Sequence, residues 1–96
     1  MILSNEPGYY KTGAFGIRIE NLIVVRQAAQ IGDKRDQLDF ETLTFVPFDR
    51  RLIDVAALAP WERDWIDTYH AEVRTRLDGK LSAEAQTWLE AATKPL

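Results

Sequence analysis

One stretch of sequence, GIRIENLIVVRQA at residues 16–28, constrains the fold of this 96-residue chain more than any other. It alternates two sets of side chains with the period of a β-strand, in which successive residues point to opposite faces. After Asn21 both sets are apolar, which predicts a strand covered on both faces. The first set is Ile17, Ile19, Ile23 and Val25, and the second is Arg18, Glu20, Leu22 and Val24.

The first half of the chain, to about residue 48, is rich in β-branched and aromatic residues. MILSN at the start and LDFETLTFVPF near residue 43 are therefore predicted to be further strands. Between them, EPGYYKTGAF contains Pro7, Gly8 and Gly13, which predict a loop. QIGDKRDQ is predicted to be a polar connection in which Asp33, Asp36 and the nearby Asp39 are solvated.

The second half has helical signals. Asp54 is predicted to cap a short helical turn, and Pro60 fits the first position of a longer helix that ends near Gly79. Ser82 is predicted to cap a last helix. The order of elements predicts an α+β fold, in which a short antiparallel β segment is followed by a C-terminal helical extension.

Composition excludes several classes of function. The net charge of −3 and the lack of a basic stripe argue against nucleic acid as a partner. No apolar run is long enough to span a membrane, and no signal peptide is recognisable. The absence of cysteine excludes thiolate catalysis and fits a cytoplasmic protein. Since His70 is the only histidine, a metal site in this chain would use carboxylates.

Arg18 and Glu20 lie two residues apart, so they share one face of the predicted strand. A buried acid and base require partners, and a same-strand pair has poor geometry for a salt bridge. Two interpretations stay open. The strand is an exposed edge with alternating charges, or a metal ion or ligand amine lies above it.

Glu6 is followed by Pro7 and Gly8. Proline biases the preceding residue toward extended backbone, and glycine permits a sharp turn. The Glu-Pro-Gly segment is either an ordinary turn at a strand end or a turn that holds the Glu6 carboxylate in position for a functional role. If the flanking strands pair as a wide hairpin, Glu6 and Glu20 approach each other. Their charges would repel unless they were protonated or bound to metal.

The three tryptophans have both a structural and a functional interpretation. Trp61, Trp65 and Trp88 are either core residues or amphipathic anchors of an interface. His70 lies in the predicted helix and is interpreted as a surface or packing histidine.

The motifs ILSNEPGYY and GAFGIRIEN closely resemble the end of the catalytic domain of Xaa-Pro aminopeptidases, in the pita-bread metallopeptidase group. LTFVPFDRRLIDVAAL and the terminal WLEAATKPL resemble the C-terminal extension of its long, eukaryotic-type branch. The resemblance covers essentially the whole chain. It implies that residues 1–48 end a catalytic domain and that residues 49–96 form the extension.

The resemblance also implies a site for two metal ions, usually manganese. Glu6 would bind one ion and act as a general base, and Glu20 would bridge both ions. Arg18 would orient neighbouring groups, with Tyr10 close to it, and this arginine favours proline-specific peptidases over methionine aminopeptidases. The implied reaction removes the N-terminal residue from peptides with proline in second position.

The family's two Asp ligands and one His ligand lie upstream of the Glu-Pro-Gly turn, and only five residues precede Glu6. We therefore expect a C-terminal fragment that is inactive alone and that self-associates, as a homodimer or through exposed strands. Two alternatives stay open. One is a non-catalytic dimerisation or interaction module derived from the peptidase tail, and the other is a family member that has lost peptidase activity.

Overall fold

A computed structural model describes residues 1–29 and 36–96. These residues form two compact units, Met1–Thr44 and Phe45–Leu96. Most of the predicted polar connection, including Asp33, lies outside the described residues. The assignment of residues 1–48 and 49–96 to a catalytic domain and its extension stays a prediction.

The first unit consists of antiparallel strands. They are β1 (Ile2–Asn5), β2 (Gly8–Lys11), β3 (Phe15–Arg18), β4 (Asn21–Gln27) and β5 (Leu38–Thr42). Strands β1, β4 and β5 form one sheet in the order β1-β4-β5, and β2 pairs with β3. The antiparallel β segment expected from the sequence is therefore confirmed.

The predicted loop EPGYYKTGAF is largely wrong, because its central residues form β2. The chain reverses only over residues 12–14. There the N–H of Ala14 donates to the carbonyl of Lys11 over 3.0 Å. Gly13 has a φ of 73°, which only glycine adopts without cost. Gly13 thus marks one tight turn in a hairpin, whereas Gly8 lies in β2 and Pro7 directly before it.

Two strand predictions differ from the structure in their extent. The single strand predicted over residues 16–28 is divided into β3 and β4, because pairing is interrupted at residues 19 and 20. The last strand ends at Thr42, well before Pro47. In β4 one residue is buried, three are half-buried and three are exposed, and all residues of β1 and β2 are exposed. The predicted cover on both faces is therefore not found among the described residues.

The second unit is helical, as predicted. Two 3₁₀ turns, Arg50–Leu52 and Val55–Ala57, precede α1 (Pro60–Leu77) and α2 (Ala83–Ala92). The predicted caps are confirmed. Asp54 accepts the N–H of Ala56, Ser82 accepts the N–H of Ala85, and Gly79 follows α1 with a φ of 74°. No described helix combines the length and the apolar content needed to cross a membrane.

The core of this unit consists of the buried residues Tyr69, Val73 and Leu89. Phe45, Phe48, Leu77 and Leu81 pack against them. The three tryptophans do not belong to this core, since Trp61, Trp65 and Trp88 are 71%, 46% and 57% exposed. The core interpretation is therefore wrong for Trp61 and Trp88, whereas Trp65 stacks on the core residue Tyr69 with 5.6 Å between ring centroids.

Candidate metal centre

The two ladders of the first unit form one hairpin with a continuous register. Asn5 pairs with Asn21 in the first ladder, and Gly8 pairs with Arg18 in the second. Two residues on each strand, 6–7 and 19–20, lie between these pairs, so no residue is inserted on either side. Glu6 consequently lies opposite Glu20.

Hydrogen bonding shows what kind of pair the two glutamates form. The N–H of Ile19 donates to the carbonyl of Pro7 over 3.1 Å. Pro7 has no N–H to return, so the ladder is interrupted at this point. Since hydrogen-bonded and non-hydrogen-bonded pairs alternate, Glu6 and Glu20 form a non-hydrogen-bonded pair. In such pairs the Cα atoms are about 4.5 Å apart and the side chains are closest.

Arg18 lies on the same face as the two glutamates. Its Nη1 is 3.7 Å from Oε2 of Glu20, and the two side chains are about half exposed, at 53% and 50%. A single long contact between exposed groups is worth little, which agrees with the poor same-strand geometry expected from the sequence. The Glu20 carboxylate is therefore not fully satisfied by Arg18.

Tyr10 extends along the same face toward Arg18. A Cβ atom on Gly16 would lie 2.9 Å from Cδ1 of the Tyr10 ring. A Cβ atom on Gly8 would lie 2.8 Å from the Tyr10 hydroxyl oxygen. Both glycines therefore leave space for the tyrosine, whose hydroxyl reaches the position directly across from Arg18. Glu6, Tyr10, Arg18 and Glu20 thus share one exposed hairpin face.

The donor set of this face suits a hard divalent cation. The two carboxylates belong to directly opposed residues of paired strands, and a cation between them would remove their mutual repulsion. Among residues 1–29 and 36–96, no group of three or more His, Asp or Glu side chains is placed to hold a metal ion. The residues present therefore fit part of a coordination shell, and the remaining ligands would have to come from elsewhere.

His70 is a packing histidine, as one of the two interpretations expected. It is fully buried in the second unit, and its Nε2 accepts the backbone N–H of Phe48 over 3.0 Å. Burial, and then the charge of Arg50, lower the pKa of His70 below its ordinary value. The core thus favours the neutral form of His70.

Asp39 lies in β5, within the strand that the sequence predicted, and its side chain is 43% exposed. Its carboxylate accepts two hydrogen bonds from Arg26, at 2.8 and 3.3 Å. This contact lowers the pKa of Asp39.

The sequence did not indicate the pocket that the second unit contains. It has a volume of about 410 Å³, and its lining residues are Pro47, Phe48, Asp49, Arg50, Arg51, Trp88, Ala91 and Ala92. Trp88, which is 57% exposed, lies at this pocket. No charge pattern or motif in the sequence predicts this pocket.

Comparison with protein families gives a match to the C-terminal region of peptidase M24 over residues 36–96, more than half of the chain. The chain is 45% identical over 101 residues to a probable Xaa-Pro aminopeptidase P of Tuber melanosporum, covering 100% of this chain and 16% of that relative. It is 47% identical over 100 residues to aminopeptidase P2 of Arabidopsis thaliana, covering 100% of this chain and 14% of that protein.

A solved structure shares the fold. It is an X-prolyl aminopeptidase from Caenorhabditis elegans, described as a cytosolic enzyme with a di-nuclear active site. The TM-score is 0.85 at 32% sequence identity, covering 99% of this chain and 16% of that chain. The chain therefore spans about one sixth of the length of the proteins it matches.

Proposed function

We propose a function for this chain from one premise: it belongs to the peptidase M24 family, as a C-terminal region of the Xaa-Pro aminopeptidase type. Its antiparallel strands and the helices that follow match the C-terminal part of a pita-bread aminopeptidase. The proposed role is to supply Glu6 and Glu20 as metal ligands to an enzyme that removes the residue before proline from peptide N-termini.

The register of the hairpin is the observation that supports this role. Glu6 and Glu20 face each other across a non-hydrogen-bonded pair, the position at which opposed side chains of paired strands are closest. Two strands that present carboxylates in this way hold them more rigidly than loops would.

A pair of divalent ions at this point, which we propose to be manganese, would activate water and polarise the scissile carbonyl. Glu6 and Glu20 would hold the ions, and Glu6 would also accept a proton during the reaction. Arg18 would fix the orientation of Glu20 through its contact. Tyr10 would act as a positioning residue, since its hydroxyl lies across the hairpin from Arg18.

The test uses the complete polypeptide that contains this segment. Glu6→Gln and Glu20→Gln should each reduce bound metal, measured by mass spectrometry, and hydrolysis of an Xaa-Pro peptide by at least a hundredfold. Glu41→Gln is the matched control, because Glu41 has a strand carboxylate as exposed as that of Glu20. Unchanged metal content in both glutamate variants would refute the proposal.

For the 96-residue chain alone, we propose that peptidase activity is absent, since two carboxylates are too few for the site. We propose a cytoplasmic location as well, supported by the description of the Caenorhabditis elegans relative as cytosolic. The direct measurement is an Xaa-Pro peptide assay with added manganese. Turnover by the purified chain would contradict this part of the proposal.

A second candidate is an interaction module that forms homodimers through the second unit. The observation that favours it is the exposure of three large amphipathic side chains, Trp61, Trp65 and Trp88. Sedimentation equilibrium of the chain should then show a dimer that Trp61→Ser or Trp88→Ser weakens. A monomer at high concentration would exclude this candidate and leave the metal-ligand role untouched.

A further inference from the structure

Two neighbouring side chains of α1 hold the extended segment Val46–Phe48. The hydroxyl of Tyr69 donates to the carbonyl of Val46 over 2.9 Å and accepts its N–H over 3.3 Å. The Nε2 atom of His70 accepts the N–H of Phe48 over 3.0 Å. Since Pro47 has no N–H, every backbone donor of this segment is satisfied by the helix.

The hydrogen bond to Phe48 dictates the protonation state of His70. Nε2 must be unprotonated to accept an N–H, so the neutral ring carries its proton on Nδ1. Nδ1 is buried and has no hydrogen-bond partner among the described residues. A second proton would have to go on Nε2, where it would point at the N–H of Phe48. The charged ring would also lack solvent, since His70 is completely buried.

The segment that His70 holds is connected to the end of the chain. Phe48 stacks on Tyr69 at 4.7 Å between ring centroids. Arg50, two residues on, donates from Nη1 to the carbonyls of Ala91 and Lys94, at 3.2 and 3.0 Å. Phe48 and Arg50 also line the pocket of about 410 Å³. Loss of the bond to Phe48 would therefore loosen the pocket wall and the contacts at the end of α2.

Charged groups from two elements face His70. Arg50, in the first 3₁₀ turn, opposes protonation, and Asp67, one turn earlier in α1, favours it. Asp67 also accepts the N–H of Leu96 over 2.8 Å, so its carboxylate is already engaged. Burial outweighs the attraction of Asp67, and the pKa of His70 is lowered as a result.

We propose that His70 is an acid-sensitive latch, which holds the segment Val46–Arg50 against α1 when neutral and releases it when protonated. Once the segment is released, His70 binds a proton with the ordinary histidine pKa of about 6.5. The latch is therefore closed above that pH and opens progressively as the pH falls below it, because the released form binds more protons.

Amide hydrogen exchange of the 96-residue chain, measured by NMR from pH 7.5 to 5 and corrected for intrinsic rates, tests the latch. Protection of the Phe48 amide should fall as the pH decreases, by up to roughly thirtyfold at pH 5. In His70→Gln the fall should disappear, because the amide oxygen of glutamine accepts the same N–H and does not titrate. Protection that is independent of pH in the unmodified chain would overturn the proposal.

Tyr69→Phe is the matched control. It removes the bonds from the neighbouring side chain to Val46, so overall protection should fall while the pH-dependent decrease remains. If His70→Gln retained the decrease, a different group would be responsible and the proposal would fail. If that variant did not fold, the ring signal of the single histidine decides. A titration midpoint of the His70 ring at or above pH 6.5 would overturn the proposal, and a midpoint at lower pH would support it.

Discussion

Glu6 lies directly opposite Glu20 in the hairpin, at a position where paired side chains are closest. This arrangement is unfavourable for folding, since like charges directly across a pair of strands repel. Pro7 adds to the cost by removing one ladder hydrogen bond beside the pair. The hairpin thus keeps a local arrangement that stability alone would not select, which is typical of functional sites.

Glu6→Gln should stabilise the 96-residue chain by a few tenths of a kcal/mol, because it removes the repulsion from Glu20. Urea unfolding at low and high salt measures the effect, which should shrink as salt screens the charges. Glu41→Gln removes the same charge but loses the contact with Arg26 at 3.8 Å, so it should give no stabilisation. Equal gains in the two variants would indicate a general charge effect instead.

Leu89→Ala should destabilise the second unit by about 2–5 kcal/mol, because the side chain is completely buried in the core with Val73. That loss is a large part of the total stability of a small domain. The loss of helical circular dichroism in urea gives the measurement. Leu38→Ala, at a position that is 71% exposed, should change stability by less than about 0.5 kcal/mol.

Arg50→Lys should loosen the end of α2. The guanidinium donates to the carbonyls of Ala91, Lys94 and Pro95, at 3.2, 3.0 and 3.2 Å, and an ammonium group cannot reproduce this fork. We expect a loss of about 1–2 kcal/mol in urea unfolding. Arg51→Lys is the control, since that side chain is 85% exposed and pairs with Asp49. Comparable losses in both variants would contradict the special role of Arg50.

Asp49 should titrate far below an ordinary aspartate. Hydrogen bonds from the Arg51 side chain and backbone lower the pKa of Asp49 from 3.8 to about 2. Its contribution to stability is therefore complete above pH 3.8 and is lost as the pH falls toward 2. In Arg51→Gln the pKa of Asp49 should rise toward 3.8, measured by NMR of its carboxyl carbon. An unchanged midpoint would mean that the backbone N–H alone controls this carboxyl.

Local sequence signals predicted the elements of this protein. Proline at the first position of α1, the caps Asp54 and Ser82, and Gly79 after α1 all have the expected places. These signals depend on hydrogen bonds and dihedral angles within a few residues. Alternation likewise put Arg18 and Glu20 on the same face, because the strand period fixes it.

Local signals failed where distant residues decided the outcome. The predicted loop around Gly8 is a strand, because Gly8–Lys11 pairs with Phe15–Arg18, and Gly8 and Gly16 leave room there for the ring of Tyr10. Trp61 follows the helical period of Tyr69 and Val73, yet it is exposed. The spacing places a residue on a face, but only the neighbouring elements determine which part of that face is covered.

By itself, the sequence determined the α+β order, the helix ends and the two glutamates as candidate ligands, since each depends on local conformation or on a short motif. Only the tertiary structure decided that Glu6 and Glu20 are cross-strand partners, because strand register is a long-range property. It also decided that His70 holds Phe48 from within the core. That contact joins residues 22 positions apart, and no local pattern specifies it.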